Sequence, residues 1–194
     1  MRRCFLPVLI PCVWLPLYAA GQTINWTGAV STDWDNSTNW SPQQVPTAAD
    51  HVVIAAGNVN FPADGVFGIL DWTGGQLNGP VTVPANATLN WQAGTLWINS
   101  SLTVVSNGVL NLSGAADKYL YGPRTNAGTV TWGGTGNIQC GTSHNYNWYY
   151  APIFNLPGAL FDIQSDQTWL SWEMRKFKGQ SLVGSRTRRL SRCP

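Results

Sequence analysis

The chain has 194 residues, enough for one domain with extensions, and only 10% of them are charged. Residues 22–170 contain eight Asp but only Lys118 and Arg124 as cations, a net charge of −6, whereas residues 171–194 contain seven cations and Glu173, a net charge of +6. The acidic body excludes a nucleic-acid partner for residues 22–170, and its abundance of Gly, Asn, Thr, Val and Trp favours strands and turns over helices.

Residues 1–21 have the three-part layout of a secretory signal peptide: two arginines, an apolar run from Cys4 to Leu17, and small residues before the cut. A membrane anchor is the alternative, but a span needs roughly 20 apolar residues, and this run is shorter and contains three prolines. We predict cleavage after Gly21, export, and no membrane span afterwards. Of the four cysteines, Cys140 and Cys193 then remain, and one pair is no disulfide framework.

Residues 22–50 form a Trp-rich segment ahead of the repeat described next. Trp26, Trp34 and Trp40 are large apolar side chains at the point where a repeat array needs a closed end. We therefore predict an N-terminal cap rather than an exposed binding cluster.

Residues 51–170 contain a repeat with a period near 20. Leu-Asp-Trp at 70–72 recurs as Leu-Asn-Trp at 89–91, and related triplets follow at 110–112 and 130–132. Apolar residues two apart are typical of a strand with one buried face, and Asn or Gly tolerates the left-handed conformation of a corner. Each period is thus predicted to be two short strands and two corners. The repeat is marked by Trp72, Trp91 and Trp132, by Gly75, Gly94, Gly114 and Gly134, and by Asn86, Asn107 and Asn126.

A strand-based period near 20 predicts an all-β fold, a right-handed parallel β-helix of about 20 residues per coil and about six coils. One coil alone cannot offset the entropy of ordering its backbone, so the coils must stack. A β-sandwich would not require corner residues in phase, and propeller blades are about twice as long. We expect the recurring tryptophans to form a stacked ladder.

Residues 139–152 interrupt the repeat and are predicted to form a loop that protrudes from one coil. Aromatic rings that cannot be buried in a single coil can stack on sugars, while Asn side chains bind hydroxyl groups. Glycan binding is therefore the localised functional hypothesis for this loop. The candidate residues are Tyr146, Trp148, Tyr149 and Tyr150.

Residues 171–194 lack the repeat marks and are rich in arginine. Three interpretations are open: a disordered basic tail, a patch for anionic surface glycans, or a shift of the reading frame near residue 171. We hypothesise the third, because the last coil would otherwise expose strand edges. Repeat phrases in another frame of the downstream coding DNA would support it, and a native tail packed on the last coil would refute it.

Several phrases spread over roughly residues 22–170 carry a resemblance. They are Trp26-Thr-Gly28, Trp34, Asn39-Trp40-Ser41, Val45-Pro46, Asp50-His-Val52-Val-Ile54, Asn126-Ala-Gly-Thr-Val130 and Gly158-Ala-Leu-Phe161-Asp-Ile163. These phrases resemble large secreted bacterial β-helix proteins, a group that includes autotransporter-passenger-like and adhesin-like surface proteins. The resemblance implies a β-helix fold and a cell-surface or extracellular location, but no specific activity.

Catalytic and metal-binding patterns are sparse. His51 and His144 have no metal-ligand spacing, although His144 near Cys140 could form a nucleophilic or metal pair. Asp162 and Asp166, four residues apart in a strand, would be about 13 Å apart, beyond the range of paired glycosidase carboxylates.

Asp33 and Asp35 are close enough in sequence to fit the separation of paired glycosidase carboxylates, and together with Asp50 they could form a calcium site. Turn formation explains the two residues equally well. Six Asn-x-Ser/Thr sequons follow from an Asn- and Thr-rich composition. We expect no catalytic residue, no metal and no cofactor. We expect instead a structural or adhesive β-solenoid, monomeric or part of a longer chain, or alternatively a polysaccharide-binding protein with possible degrading activity.

Overall fold

The computed structural model describes residues 21–144, 147–149 and 151–171. Almost all of the predicted signal peptide and of the basic tail therefore lies outside the described residues. Within these ranges the helical structure is one 3-10 turn, Ser37–Asn39, and none of it is long and apolar enough to cross a membrane. In chain order the strands are β1 (Thr23–Trp26), β2 (Trp40–Ser41), β3 (His51–Ile54), β4 (Asn58–Asn60), β5 (Ile69–Trp72), β6 (Gln76–Asn78), β7 (Pro80–Val83), β8 (Thr88–Trp91), β9 (Gly94–Leu96), β10 (Ser101–Val104), β11 (Val109–Leu112), β12 (Lys118–Leu120), β13 (Arg124–Asn126), β14 (Thr129–Trp132), β15 (Ile138–Cys140), β16 (Thr142–His144), β17 (Asn147–Tyr149), β18 (Ile153–Asn155), β19 (Leu160–Ile163) and β20 (Trp169–Ser171).

These strands form a parallel β-solenoid, which confirms the predicted fold class. Sheet A has the order β19-β14-β11-β8-β5-β3-β1-β2, sheet B the order β20-β15-β12-β9-β6-β4, and sheet C the order β18-β13-β10-β7. Neighbours within each sheet run parallel, except that β2 is antiparallel to β1. Four turns have a strand in all three sheets, and the turns of β3–β4 and β19–β20 are incomplete.

The coil has three sides, not the two expected from the sequence. The strands of sheet B explain the difference, because each has only three residues and begins directly after a glycine corner or a loop. A three-residue strand shows one or two inward side chains, which is too few to reveal a period of two. The insertion of three residues before β12 further conceals the third strand, since Trp91 pairs with Leu112 at a separation of 21 but Leu96 pairs with Leu120 at a separation of 24.

The recurring tryptophans are inward and in register. Trp72 pairs with Trp91, Trp91 with Leu112, and Leu112 with Trp132 in sheet A, and all four side chains are buried. The rings of Trp72 and Trp91 are stacked, with centroids 4.3 Å apart and planes 20° apart. Leu112 separates this pair from Trp132, which instead contacts Trp169 edge to face at 5.8 Å.

The corners after β8 and β14 bring two coils so close that glycine is required. Gly94 has φ +111°, and a Cβ there would lie 2.6 Å from the carbonyl oxygen of Gly75 and 2.7 Å from Nε1 of Trp72. A side chain is excluded at Gly134 as well, although its φ is not positive, because a Cβ there would lie 2.5 Å from the carbonyl oxygen of Gly114. Both glycines therefore lie against the backbone of the preceding coil, and they allow the coils to stack as well as to turn.

The asparagines before the sheet A strands divide into two kinds. Asn86 and Asn107 have left-handed backbone, with φ of 64° and 63°, as do few non-glycine residues. Asn126 is instead fully buried at the end of β13. Its Nδ2 donates to Asn155 Oδ1 at 2.7 Å and to the carbonyl oxygen of Leu160 at 2.9 Å, and its Oδ1 accepts from the backbone of Gly128. It therefore joins two coils.

The Trp-rich segment closes the N-terminal end, as predicted for the cap. Trp34 and Trp40 are almost completely buried. Trp40 contacts Trp26 and Trp34 edge to face at 4.8 and 4.7 Å, and its Nε1 donates to the carbonyl oxygen of Trp34. Phe61 continues the cluster toward the first coil, 4.5 Å from Trp34. With β2 antiparallel on the edge of sheet A, the cap covers both the core and the last parallel strand.

Candidate functional site

The segment predicted to protrude contains an antiparallel hairpin inserted between sheets B and C. Strands β16 and β17 pair with Thr142 opposite Tyr149 and Ser143 opposite Trp148. The insertion lengthens one coil, since Trp132 pairs with Ile163 at a separation of 31 residues. Of the four candidate residues, Trp148 and Tyr149 lie in β17. Tyr146 and Tyr150 lie outside the described residues.

The hairpin is attached to aromatic side chains on the outer surface of sheet B. We call this group the aromatic patch: Trp97, Tyr119, Tyr121 and His144. Trp97 contacts Tyr121 at 6.0 Å and His144 at 5.7 Å between ring centroids, both edge to face, and Tyr119 lies 6.1 Å from Tyr121. All four side chains are half-buried. Rings from β12, from the end of β9 and from the hairpin therefore form one surface.

The position of Tyr121 explains how the hairpin is held. The side chain of Thr142, at the start of the hairpin, lies beside the Tyr121 hydroxyl. Burial and the neighbouring Tyr119 raise the pKa of Tyr121, and Thr142 partly offsets that rise. Together with the contact of His144 on Trp97, the position of Thr142 beside Tyr121 places the hairpin against sheet B.

A row of amides leads from the cap to the aromatic patch. We call Asn60, Gln76 and Asn78 the amide row. Asn60 Nδ2 donates to Thr32 Oγ1 at 2.8 Å, Asn78 Nδ2 donates to Asn60 Oδ1 at 3.1 Å, and Gln76 Nε2 donates to Asn78 Oδ1 at 2.8 Å. Each amide has two donors and a two-lone-pair acceptor, so these bonds orient the groups and leave capacity for a ligand.

Charge is distributed unevenly between the interior and the surface of the described residues. Lys118 and Arg124, the two cations of the body, are both inward-facing and fully buried. Lys118 Nζ donates to the carbonyl oxygen of Ala116, and burial lowers its pKa, partly offset by Asp117. The guanidinium of Arg124 lies over the ring of Trp169 at 5.1 Å. The outer surface of the described solenoid therefore displays carboxylates without Lys or Arg.

Two of the carboxylates considered for acid chemistry or calcium, Asp33 and Asp50, have structural partners. Asp33 Oδ1 accepts from the backbone of Asp35 at 3.1 Å, an Asx turn. Asp50 is buried and accepts from the backbone of Gln22 and from both the backbone and the hydroxyl of Thr47. Burial raises the pKa of Asp50, but these hydrogen bonds outweigh that effect and lower it. Asp50 thus fixes the start of β3 against β1.

The two histidines are far apart in the fold. His51 faces outward in β3, where its Nε2 lies 2.8 Å from Asp71 Oδ2. Asn90 donates to Asp71 and Asn111 donates to Asn90, so one chain of side-chain hydrogen bonds crosses four strands of sheet A. His144 lies in β16, whereas Cys140 is buried in β15. Within the described residues no group of three or more His, Cys, Asp or Glu side chains could hold a metal ion.

Sequence reasoning placed the aromatic candidates in the loop and missed Trp97, Tyr119 and Tyr121. The alternation Tyr119-Leu-Tyr121 was the available signal, because a buried Leu120 requires its neighbours to face outward. The separation of 24 residues between Trp97 and Tyr121 departs from the repeat period, so the sequence alone did not align them.

Comparison with protein-family models identifies the family of the chain. A family model described as a domain of unknown function (DUF8693) matches residues 25–187. No curated protein and no solved structure matches the chain.

Proposed function

Because the chain belongs to the DUF8693 family, whose function is unknown, we propose a role from its own architecture: an exported, non-catalytic β-solenoid that serves as a structural or adhesive element of the cell surface or extracellular space. The observation that supports this proposal is the continuous stack of parallel coils in three sheets, closed by a cap at its N-terminal end. Repeated hydrogen-bonded coils give a stiff body whose outer side chains are available to partners.

Export is supported by the layout of residues 1–21 and by the position of the first strand. Strand β1 begins at Thr23, two residues after the predicted cut, and the family match begins at residue 25. The backbone nitrogen of Gln22 donates to Asp50 Oδ1 at 3.0 Å, so a chain that starts at Gln22 would place its terminal amino group beside that carboxylate.

N-terminal sequencing of the protein recovered from the medium or from the cell surface tests export. We expect the sequence to start at Gln22, and an Ala19→Arg variant to retain the leader, because signal cleavage requires a small residue at that position. Recovery of the wild-type protein only inside the cell, with Met1 or Arg2 at its start, would refute the proposal.

Adhesion needs a separate measurement. Beads coated with the full chain should bind to cells or extracellular matrix more than beads coated with a heat-unfolded sample. The proposal also expects a monomer in light scattering, unless the chain is part of a longer protein. Equal retention of folded and unfolded coatings would refute adhesion and leave a purely structural role.

Glycan binding through residues 139–152 is the second candidate function. It is supported by the hairpin held against the aromatic patch, which adds rings to those predicted in the loop. Alanine replacements at Tyr146, Trp148, Tyr149 and Tyr150 should lower polysaccharide binding, and release of reducing ends measured in parallel would reveal degradation. Unchanged binding in all four variants would exclude the loop as the site.

A further inference from the structure

We propose that the outer surface of sheet B, from the amide row to the aromatic patch, binds an uncharged polysaccharide chain that lies across the strands, along the axis of the solenoid. This inference rests on the second candidate function, glycan binding. It assigns the site mainly to the solenoid body, with the hairpin as a wall beside it, and it specifies the chemical class of the ligand.

The register of sheet B aligns amides and aromatic rings in one column. Asn60 pairs with Asn78. The pairing of Leu77 with Leu96 places Asn78 next to Trp97, and the pairing of Leu96 with Leu120 places Trp97 next to Tyr121. Neighbouring strands are about 4.8 Å apart. The column therefore presents four side chains in succession across four coils, and ends where Thr142 begins the hairpin.

The chemistry of this column suits sugars. Aromatic rings offer an apolar face to the C–H groups of a pyranose, and Tyr adds a hydroxyl at its edge. The amides are already oriented by their mutual hydrogen bonds, so ordering them for a ligand requires little additional conformational entropy. The column therefore offers amides at one end and ring faces at the other, which are the two kinds of contact that the hydroxyl groups and the apolar faces of a polysaccharide can make.

The charges select an uncharged ligand over an acidic one. No outward side chain of sheet B in the described residues is charged; these positions are Asn58, Asn60, Gln76, Asn78, Thr95, Trp97, Tyr119, Tyr121 and Gln139. Asp117 borders the sheet and accepts from Gln139 Nε2 at 2.9 Å. Since the body's two cations are buried, a polyanion would meet carboxylates without a counter-charge.

Binding of the full chain to insoluble β-1,4-glucan, to soluble mannan and xylan, and to polygalacturonate tests the inference. We expect binding to at least one of the three uncharged polymers. Trp97→Ala should weaken it about tenfold or more, as truncation of a central aromatic contact does. Asn78→Ala should weaken it several-fold. Phe154→Ala, an exposed ring on sheet C, is the matched control and should bind within about twofold of wild type.

Two further variants separate binding from folding. Trp97→Phe keeps a ring and should retain most of the binding, and Tyr119→Ala removes a ring from the adjacent row of sheet B. Far-UV circular dichroism and thermal unfolding check each variant. If Trp97→Ala is unfolded, Tyr119→Ala decides, with the same expected direction.

The outcomes distinguish this inference from the function on which it rests. Wild-type affinity in the Trp97, Tyr119 and Asn78 variants, with binding lost in the loop variants, would overturn the inference and leave glycan binding intact. No binding of the wild-type chain to any polymer would overturn both. Binding to polygalacturonate alone would overturn the inference and direct attention to residues 171–194, whose net charge is +6.

Discussion

Replacing Trp91 by alanine should remove a large part of the folding free energy of the solenoid. Trp91 is fully buried and stacked on Trp72. A tryptophan buries about 200 Å², which at about 25 cal/mol per Å² corresponds to about 5 kcal/mol, and measured Trp→Ala changes in cores cost about 3–5 kcal/mol. The free energy of unfolding of an ordinary domain is about 5–15 kcal/mol. The variant should therefore be marginally stable or unfolded.

Trp97→Ala is the matched control, because the same substitution six residues later faces outward. Its ring is only half-buried and makes edge-to-face contacts with Tyr121 and His144, so we expect a loss of about 1–2 kcal/mol. Urea unfolding followed by far-UV circular dichroism gives both free energies, and Trp91→Phe should recover part of the loss. Equal destabilisation by the two alanine variants would show that the inward and outward assignment of the repeat is wrong.

In the same unfolding assay, Gly94→Ala should lower the free energy of unfolding by several kcal/mol, because its Cβ would meet the backbone of Gly75 and the side chain of Trp72. Gly158→Ala should lower it by about 1 kcal/mol, because Gly158 has φ +85° but no atom within 4 Å of the added Cβ. Similar losses in the two variants would contradict the close approach of the coils at Gly94. Hydrogen bonds from the backbone of Asn137 and from the side chains of Gln139 and Asn137 lower the pKa of Asp117 in the folded chain. The contribution of Asp117 to stability is therefore complete at pH values above the ordinary pKa of 3.8, and it is lost as the pH falls through the pKa of the folded state. Acid titration of Asp117→Asn should show a smaller loss below pH 3.8 than wild type, and identical curves would refute this linkage. Lys118→Met should leave the free energy of unfolding unchanged or raise it by about 1 kcal/mol, since the unfavourable burial of the amine outweighs its hydrogen bond to the carbonyl oxygen of Ala116. A loss above about 2 kcal/mol would show that the amine is required.

The architecture could be predicted from the sequence because its constraints repeat. The inward positions of sheet A meet the same neighbours in every coil, so Trp72, Trp91 and Trp132 recur with one spacing. The corner glycines recur for the same reason, since each approaches the backbone of the coil before it. Residues that keep the same phase over several periods therefore suffice to predict the coil, and the tryptophans that precede the first period suffice to predict the cap.

The third side of the coil and the aromatic patch could not be predicted in this way. Sheet B strands have three residues, and the insertion before β12 is offset by shorter connections to β13 and β14, so the coil length in sheet A remains near 20 while the register in sheet B shifts. Buried polar side chains such as Lys118 and Arg124 also break the apolar pattern. Their inward orientation depends on local partners, the Ala116 carbonyl and the Trp169 ring, which the sequence does not identify.

The outward positions are where this solenoid departs from its own repeat, and that departure is physically costly. Outward residues in sheets A and C are mostly Thr, Ser, Asn and Val, which suit a solvated strand surface. In sheet B the same positions become Trp97, Tyr119 and Tyr121, and stacking of coils does not require rings there, because the inward Leu96 and Leu120 already form the core contact. Exposed aromatic surface lowers solubility and promotes association unless it has a partner. His144 and Thr142 of the hairpin lie beside Trp97 and Tyr121 and leave both rings half-buried, and the polysaccharide proposed above would cover the ring surface that remains.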